Sequence, residues 1–331
     1  MKQIPKSAKD LMISLVKGRI CPNDIWKKKS YRTKFLLRSL LVSRQTLPLL
    51  QSLVKYPNLS AILAVQPSLP CKLHRPYLAA NLSKKQARKA LESHYQSVFS
   101  HFPAQLREGM LSKKRYRLAD IKGKDDTPLS VSIMSDDRCN REGEITLFVQ
   151  DHQDITLAKI TFTIVRLDGK ICLFIGGCQG ANQNIDHTII QQATKVSHGL
   201  FPKRMALEGL RSLGRHLHFD HIVAVGDNTH IYHNWRYRIK RKEMHASYDE
   251  FWRSQEGEKD LNGYFHLPLS ANHKAIEDIA SKKRAEYRRR YALLEQLDQE
   301  IGKHFTTNNL NNQTDATVQA AVSKSQPEPQ N

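Results

Sequence analysis

The chain has 331 residues, 40% hydrophobic and 25% charged, which is the balance of a globular protein with about two domains' worth of chain. Five cysteines at irregular spacing, with no Cys-x-x-Cys pair, exclude a disulfide framework or a cysteine zinc site and point to reduced thiols. The net charge of +20 is unevenly placed: residues 1–130 hold 26 Lys and Arg against 7 Asp and Glu, while residues 131–331 hold 26 against 25.

That asymmetry points to a polyanionic partner, either anionic lipid or, less favoured, nucleic acid. The early apolar run Leu11–Val16 is short and interrupted by Ser14, unlike an export signal. No stretch reaches the roughly 18 consecutive apolar residues of a membrane span. The expectation is a cytoplasmic protein, peripheral at the inner membrane where it meets lipid.

Residues 1–110 read as a basic, mainly helical region. From Ser30 to Val54, leucines 36, 37, 40, 41, 47, 49, 50 and 53 are interleaved with Arg32, Lys34, Arg38 and Arg44, after the run Lys27–Lys29. A helix of this kind can lie in a lipid interface, or pack on the protein with its bases solvated. Pro48 is expected to break or kink it near its end. Zinc-finger, basic-zipper and RNA-binding aromatic motifs are missing, so a nucleic-acid reading rests on charge alone. Ser83 caps a further helix to Phe102, with Ala87, Ala90, Leu91, Tyr95 and Val98 at helical spacing.

Residues 111–301 read as a mixed β/α core ending in a basic helix. Arg115–Ile121 and Leu129–Met134 are short strands. Glu144–Gln150 and Ile155–Arg166 alternate, and Asp168-Gly169 turns into Lys170–Gly176, giving an antiparallel β-meander. A glycine-rich loop follows, then helices over Asp186–Ser197 and from Pro202, and a strand His221–Val225. Asn272–Ile301 reads as a helix carrying Lys282-Lys283-Arg284 and Arg288-Arg289-Arg290. Residues 302–331 read as a disordered tail. The fold class is α+β.

Four segments resemble the VirK/YbjX-like family of bacterial proteins. They are Ile175-Gly176-Gly177-Cys178-Gln179-Gly180, Gly199-Leu200-Phe201-Pro202-Lys203, Tyr248-Asp249-Glu250-Phe251-Trp252, and Lys283 through Tyr291. Order and spacing agree over roughly residues 30–300; Phe201 departs from the pattern, standing where a basic residue is expected. The family's activity is unassigned. The resemblance implies a role connected to the cell envelope: virulence, display of a surface protein, and tolerance of envelope stress and cationic peptides. An envelope-biogenesis protein or an anionic membrane surface would then be the partner.

The order of meander, glycine-bearing segment, helix entrance and return strand is similar to the acyl-CoA cradle of the GNAT acetyltransferase fold. It departs from that fold by the inserted segment Ala181–His198 and by lacking the usual glycine spacing. On this analogy Gln179, Gly180, Gly199, Lys203 and Arg204 bind an acyl-CoA pyrophosphate, with the helix dipole assisting. His230, past the strand ending at Gly226, is then the general base and Tyr232 the acid. Arg288 and Tyr291 are candidates for an anionic headgroup. The competing reading is a non-catalytic binder of anionic lipid or of an envelope-biogenesis partner. His216, His218 and His221 sit in an HxHxxH pattern that splays its rings, so no metal is expected.

Overall fold

A computed structural model describes residues 5–237, 239 and 247–323, and the side chains of the last helix as far as Thr306. Among the described residues eight strands form one sheet, in the order β1-β2-β3-β4-β5-β6-β8-β7. The first five are β1 (Tyr116–Lys122), β2 (Pro128–Ser135), β3 (Ile145–Gln150), β4 (Thr156–Leu167) and β5 (Lys170–Gly180). Each pairs antiparallel with the next, so the meander has five strands where the alternating pattern shows three most clearly. Asp168 (φ 47°) and Gly169 (φ 82°) make the β4–β5 turn, with both residues left-handed as such a hairpin demands.

Next come α7 (His187–Val196) and α8 (Pro202–His216), crossing over to β6 (His221–Val225), which pairs parallel with β5. Asp186 caps α7 by accepting the Thr188 N–H, and Pro202 opens α8. The short helix α9 (Tyr248–Ser254) leads to β7 (Glu258–Lys259) and β8 (Tyr264–Leu267), both antiparallel additions at the edge. The long last helix, α10, spans Ser281–Ser323.

Both faces of the sheet are covered, which explains why β5 and β6 read as nearly unbroken apolar runs. Leu173, Ile175, Ile222 and Ala224 join a core with Leu207, Leu210 and Leu213 of α8 and with Leu293, Leu297 and Ile301 of α10. The alternate residues Cys172, Phe174, Val223 and Val225 join a second core with the N-terminal helices. Those helices are α1 (Ala8–Val16), α2 (Lys29–Leu41), α3 (Ser43–Leu53), α4 (Leu59–Val65) and α5 (Lys84–His101), and the short α6 (Ala104–Met110) leads from them to β1. Ser83 and Gln86 form a capping box at the start of α5. The basic third of the chain therefore shares a core with the strands.

Three sequence expectations are revised. The break in Ser30–Val54 falls at Val42 (φ −121°, ψ 31°), and Pro48 sits inside α3. Gly176–Gly180 continues strand β5 and is not a loop. Within Asn272–Ile301 the helix begins at Ser281; Ile276–Asp278 form only a short turn, tied down by Arg284, which donates to the carbonyls of Glu277 and Ile279. Of the segment 302–331, residues 302–323 lie within α10 and 324–331 lie outside the described residues. No described helix is long and apolar enough to cross a membrane.

Candidate functional site

Strands β5 and β6 pair from Cys172–His221 to Ile175–Ala224, and there the pairing stops although β5 continues to Gly180. Beyond that point Cys178 gives its backbone N–H to the Tyr248 hydroxyl of α9, at 3.0 Å. The space between the parting strands opens into a cavity of about 1140 Å³. It lies past the carboxyl ends of a parallel pair, the usual place for a ligand in sheets of this kind.

The depth of the cavity holds Glu142, Gln179, His230 and Tyr248. The turn before β3 carries Glu142 across β5 so closely that a side chain on Gly176 would strike the Glu142 carbonyl, and one on Gly177 its carboxylate. These two glycines thus make room for the protein's own acid. Only Gly180 borders the cavity itself. Among the described residues a Cβ there would touch only the Lys203 Cε, at 3.5 Å.

The Gln179 amide donates to both Glu142 oxygens, at 3.0 and 2.8 Å. His230 accepts the Tyr232 N–H on Nδ1, capping the short helical turn Ile231–His233. Its Nε2 is buried, without a hydrogen-bond partner among the described residues, 3.6 Å from Glu142 Oε1. The ring lies 4.9 Å from those of both Tyr232 and Tyr248. Behind it Asp227 accepts from the Ser247 hydroxyl and the Tyr248 N–H, fixing the β6 exit loop to α9. Burial pushes the Tyr248 phenol well above its ordinary range and the Cys178 thiol up to about 12. Cys178 is accordingly an inert thiol at neutral pH.

The rim is cationic. Arg115, Arg138, Lys159 and Lys203 line it. Arg138 is engaged by Asp136, and Arg115 lies over the Phe148 ring at 4.1 Å. Lys159 and Lys203 have no acidic partner among the described residues. Phe148, Ile155, Ile185 and Phe251 give the walls apolar patches, with Ile185 coming from the segment Ala181–His198.

Of the sequence candidates, Gln179, Gly180, Lys203, His230 and Tyr232 meet in this one cavity. The others do not. Gly199 borders a separate cleft with Lys195 and Arg289, and Arg204 is directed along α8, 3.9 Å from Glu208. Arg288 is exposed and lines neither cavity, and Tyr291 donates to the Lys274 carbonyl while stacking on His273. Phe201, at the α8 entrance, is exposed. No group of three or more metal-ligating side chains occurs among the described residues. Glu142, Arg115, Arg138 and Lys159 were missed because only the sheet register brings them to β5; one carboxylate two residues before another is no signal by itself.

An antiparallel meander followed by a parallel βαβ crossover, with a cavity where the parallel strands part, defines an α+β protein with a ligand-sized site on its sheet. The chain belongs to the family described as "Protein of unknown function (DUF535)", whose model matches residues 24–303 and so takes in the whole cavity. It is 41% identical over 299 residues to uncharacterized protein YbjX of Escherichia coli K12, covering 90% of this chain and 91% of YbjX. An uncharacterized protein of Haemophilus influenzae is 32% identical over 178 residues, covering 54% of this chain and 57% of its own.

Proposed function

We propose that this protein is an acyl-CoA-dependent acyltransferase of the GNAT type, acting on the cytoplasmic side of the bacterial envelope. The observation that carries the reading is the parting of β5 and β6 after Ile175 and Ala224 into a cavity lined by Gln179, Gly180, Lys203, His230 and Tyr232. The residues fit a thioester of coenzyme A. Lys203 and Lys159 supply unpaired positive charge for phosphates, Gly180 leaves backbone open to close approach, and the apolar patches suit an acyl chain.

In this reading a base in the depth of the cavity removes the acceptor's proton, and Tyr232 protonates the departing thiolate as the acyl C–S bond breaks. Calorimetric titration with acetyl-CoA and a longer acyl-CoA tests it: saturable binding is expected, weakened about tenfold or more in Lys203→Ala. No binding of either thioester would sink the reading. The envelope setting comes from the resemblance to the VirK/YbjX-like proteins, and virulence, surface-protein display and peptide tolerance are its proposed outlets.

A second reading, peripheral binding to anionic lipid, is favoured by one surface. Leu37, Leu40 and Leu41 of α2 are 57%, 60% and 84% exposed, while Phe35 on the opposite side is buried. Lys34, Leu37, Arg38 and Leu41 share one helical face, and Lys28 and Lys29 precede it. Exposed leucines among bases suit an interface of acyl chains and phosphates, and the two readings are compatible in one molecule.

A further inference from the structure

Two buried carboxylates stand two residues apart before β3, and they are treated differently. Glu144 is met by the Lys72 ammonium and by the hydroxyls of Tyr77 and Tyr95, at 2.8 and 2.7 Å. Glu142 is 2% exposed, opens on the cavity, and has among the described residues one hydrogen-bond donor, the neutral Gln179 amide. No lysine or arginine among the described residues pairs with it. Taking a carboxylate out of water without a countercharge is costly, so Glu144 has the surroundings of a structural group and Glu142 those of a binding group.

His230 does not fill the gap. Its Nδ1 accepts a backbone N–H, and a ring nitrogen that accepts carries no proton. The ring hydrogen is therefore on Nε2, which has no hydrogen-bond partner among the described residues and faces Glu142. A protonated Nε2 gives hydrogen bonds and takes no proton from a substrate. The basic group in the depth of the cavity is Glu142.

We propose that Glu142 is the subsite for a primary ammonium group of the second substrate and the acceptor of its proton, with His230 Nε2–H turned toward the same carboxylate. The acyl-transfer step rests on the reading above; the amine subsite does not. In that step Glu142 takes one proton from the ammonium and releases it to solvent. The freed nitrogen lone pair forms the C–N bond as the C–S bond breaks, and the second nitrogen proton ends on the thiolate through the Tyr232 hydroxyl. Protons and charge balance without an oxidant or reductant.

The test uses the full chain, ¹⁵N-labelled, with ethylammonium and ethanol as probes, read from the His230 ring and the Gln179 side-chain amide. Saturable shifts with ethylammonium, absent with ethanol and weakened at least tenfold in Glu142→Gln, are expected. An equal response to ethanol in the wild type overturns the proposal without any variant, as does an unchanged response in a folded Glu142→Gln. Silence with ethylammonium while acetyl-CoA binds overturns the amine subsite and leaves acyl transfer standing. A response to ethylammonium without thioester binding supports the subsite and removes the acyl-transfer reading.

Discussion

Replacing Lys72 with methionine removes one half of a fully buried ion pair. Neither Lys72 nor Glu144 has exposed side-chain surface. In the variant Glu144 keeps the tyrosine hydroxyls but loses its countercharge, and breaking such a pair from one side costs about 3–5 kcal/mol. The cost depends on pH in a defined direction. In the wild type burial works to raise the Glu144 pKa, but Lys72, then His94, outweigh it and hold the group below its ordinary 4.5. Its contribution is thus fully present above that value and is lost as pH falls through the lower folded pKa. Without Lys72 burial is unopposed by the ammonium, the folded carboxyl titrates higher, and acid relieves the variant before it harms the wild type. Urea unfolding at pH 7 and pH 5 therefore shows a large loss for Lys72→Met at pH 7 and a smaller one at pH 5. The double change Lys72→Met with Glu144→Gln recovers most of the loss. A single variant as stable as the wild type at pH 7, or a gap that does not narrow in acid, refutes the reasoning.

The three glycines of β5 separate structural from ligand roles. Gly176→Ala and Gly177→Ala force the Glu142 backbone or carboxylate to move and lower the melting temperature, whereas Gly180→Ala meets only a lysine side chain and leaves it within about a degree. For the α2 surface, Leu40→Asp with Leu41→Asp abolishes flotation with vesicles containing phosphatidylglycerol while the thermal transition stays in place. Retained flotation, or binding to duplex DNA of equal strength, counts against lipid as the partner.

Strand alternation and turn chemistry made the sheet readable. Ile145, Leu147 and Val149 share a face, and Asp168-Gly169 fixes the β4–β5 hairpin, so the centre of the meander follows from local pattern. The small edge strands β7 and β8 are too short, at two and four residues, to leave such a pattern. The site was half legible. Gln179, Gly180 and Lys203 flank a crossover visible in the chain, and His230 follows the strand that completes it. Glu142 was illegible because its role depends on a turn laid across Gly176 and Gly177, some 35 residues away in sequence. For the same reason the purpose of Gly176 and Gly177, which is to accommodate that residue's carbonyl and carboxylate, shows only in three dimensions. The leucines of α2 and α3 look alike in sequence, yet Leu49, Leu50 and Leu53 are core and Leu40 and Leu41 are not, since the break at Val42 reorients the chain.

Hydrogen–deuterium exchange of the full chain, with and without saturating acetyl-CoA, tests the acyl-transfer account most directly. The account predicts slowed exchange in peptides covering residues 178–185 and 200–207, together with the loop through His230, and loss of that protection in Lys203→Ala. Unchanged exchange in these segments, or protection confined to the N-terminal helices, would contradict it.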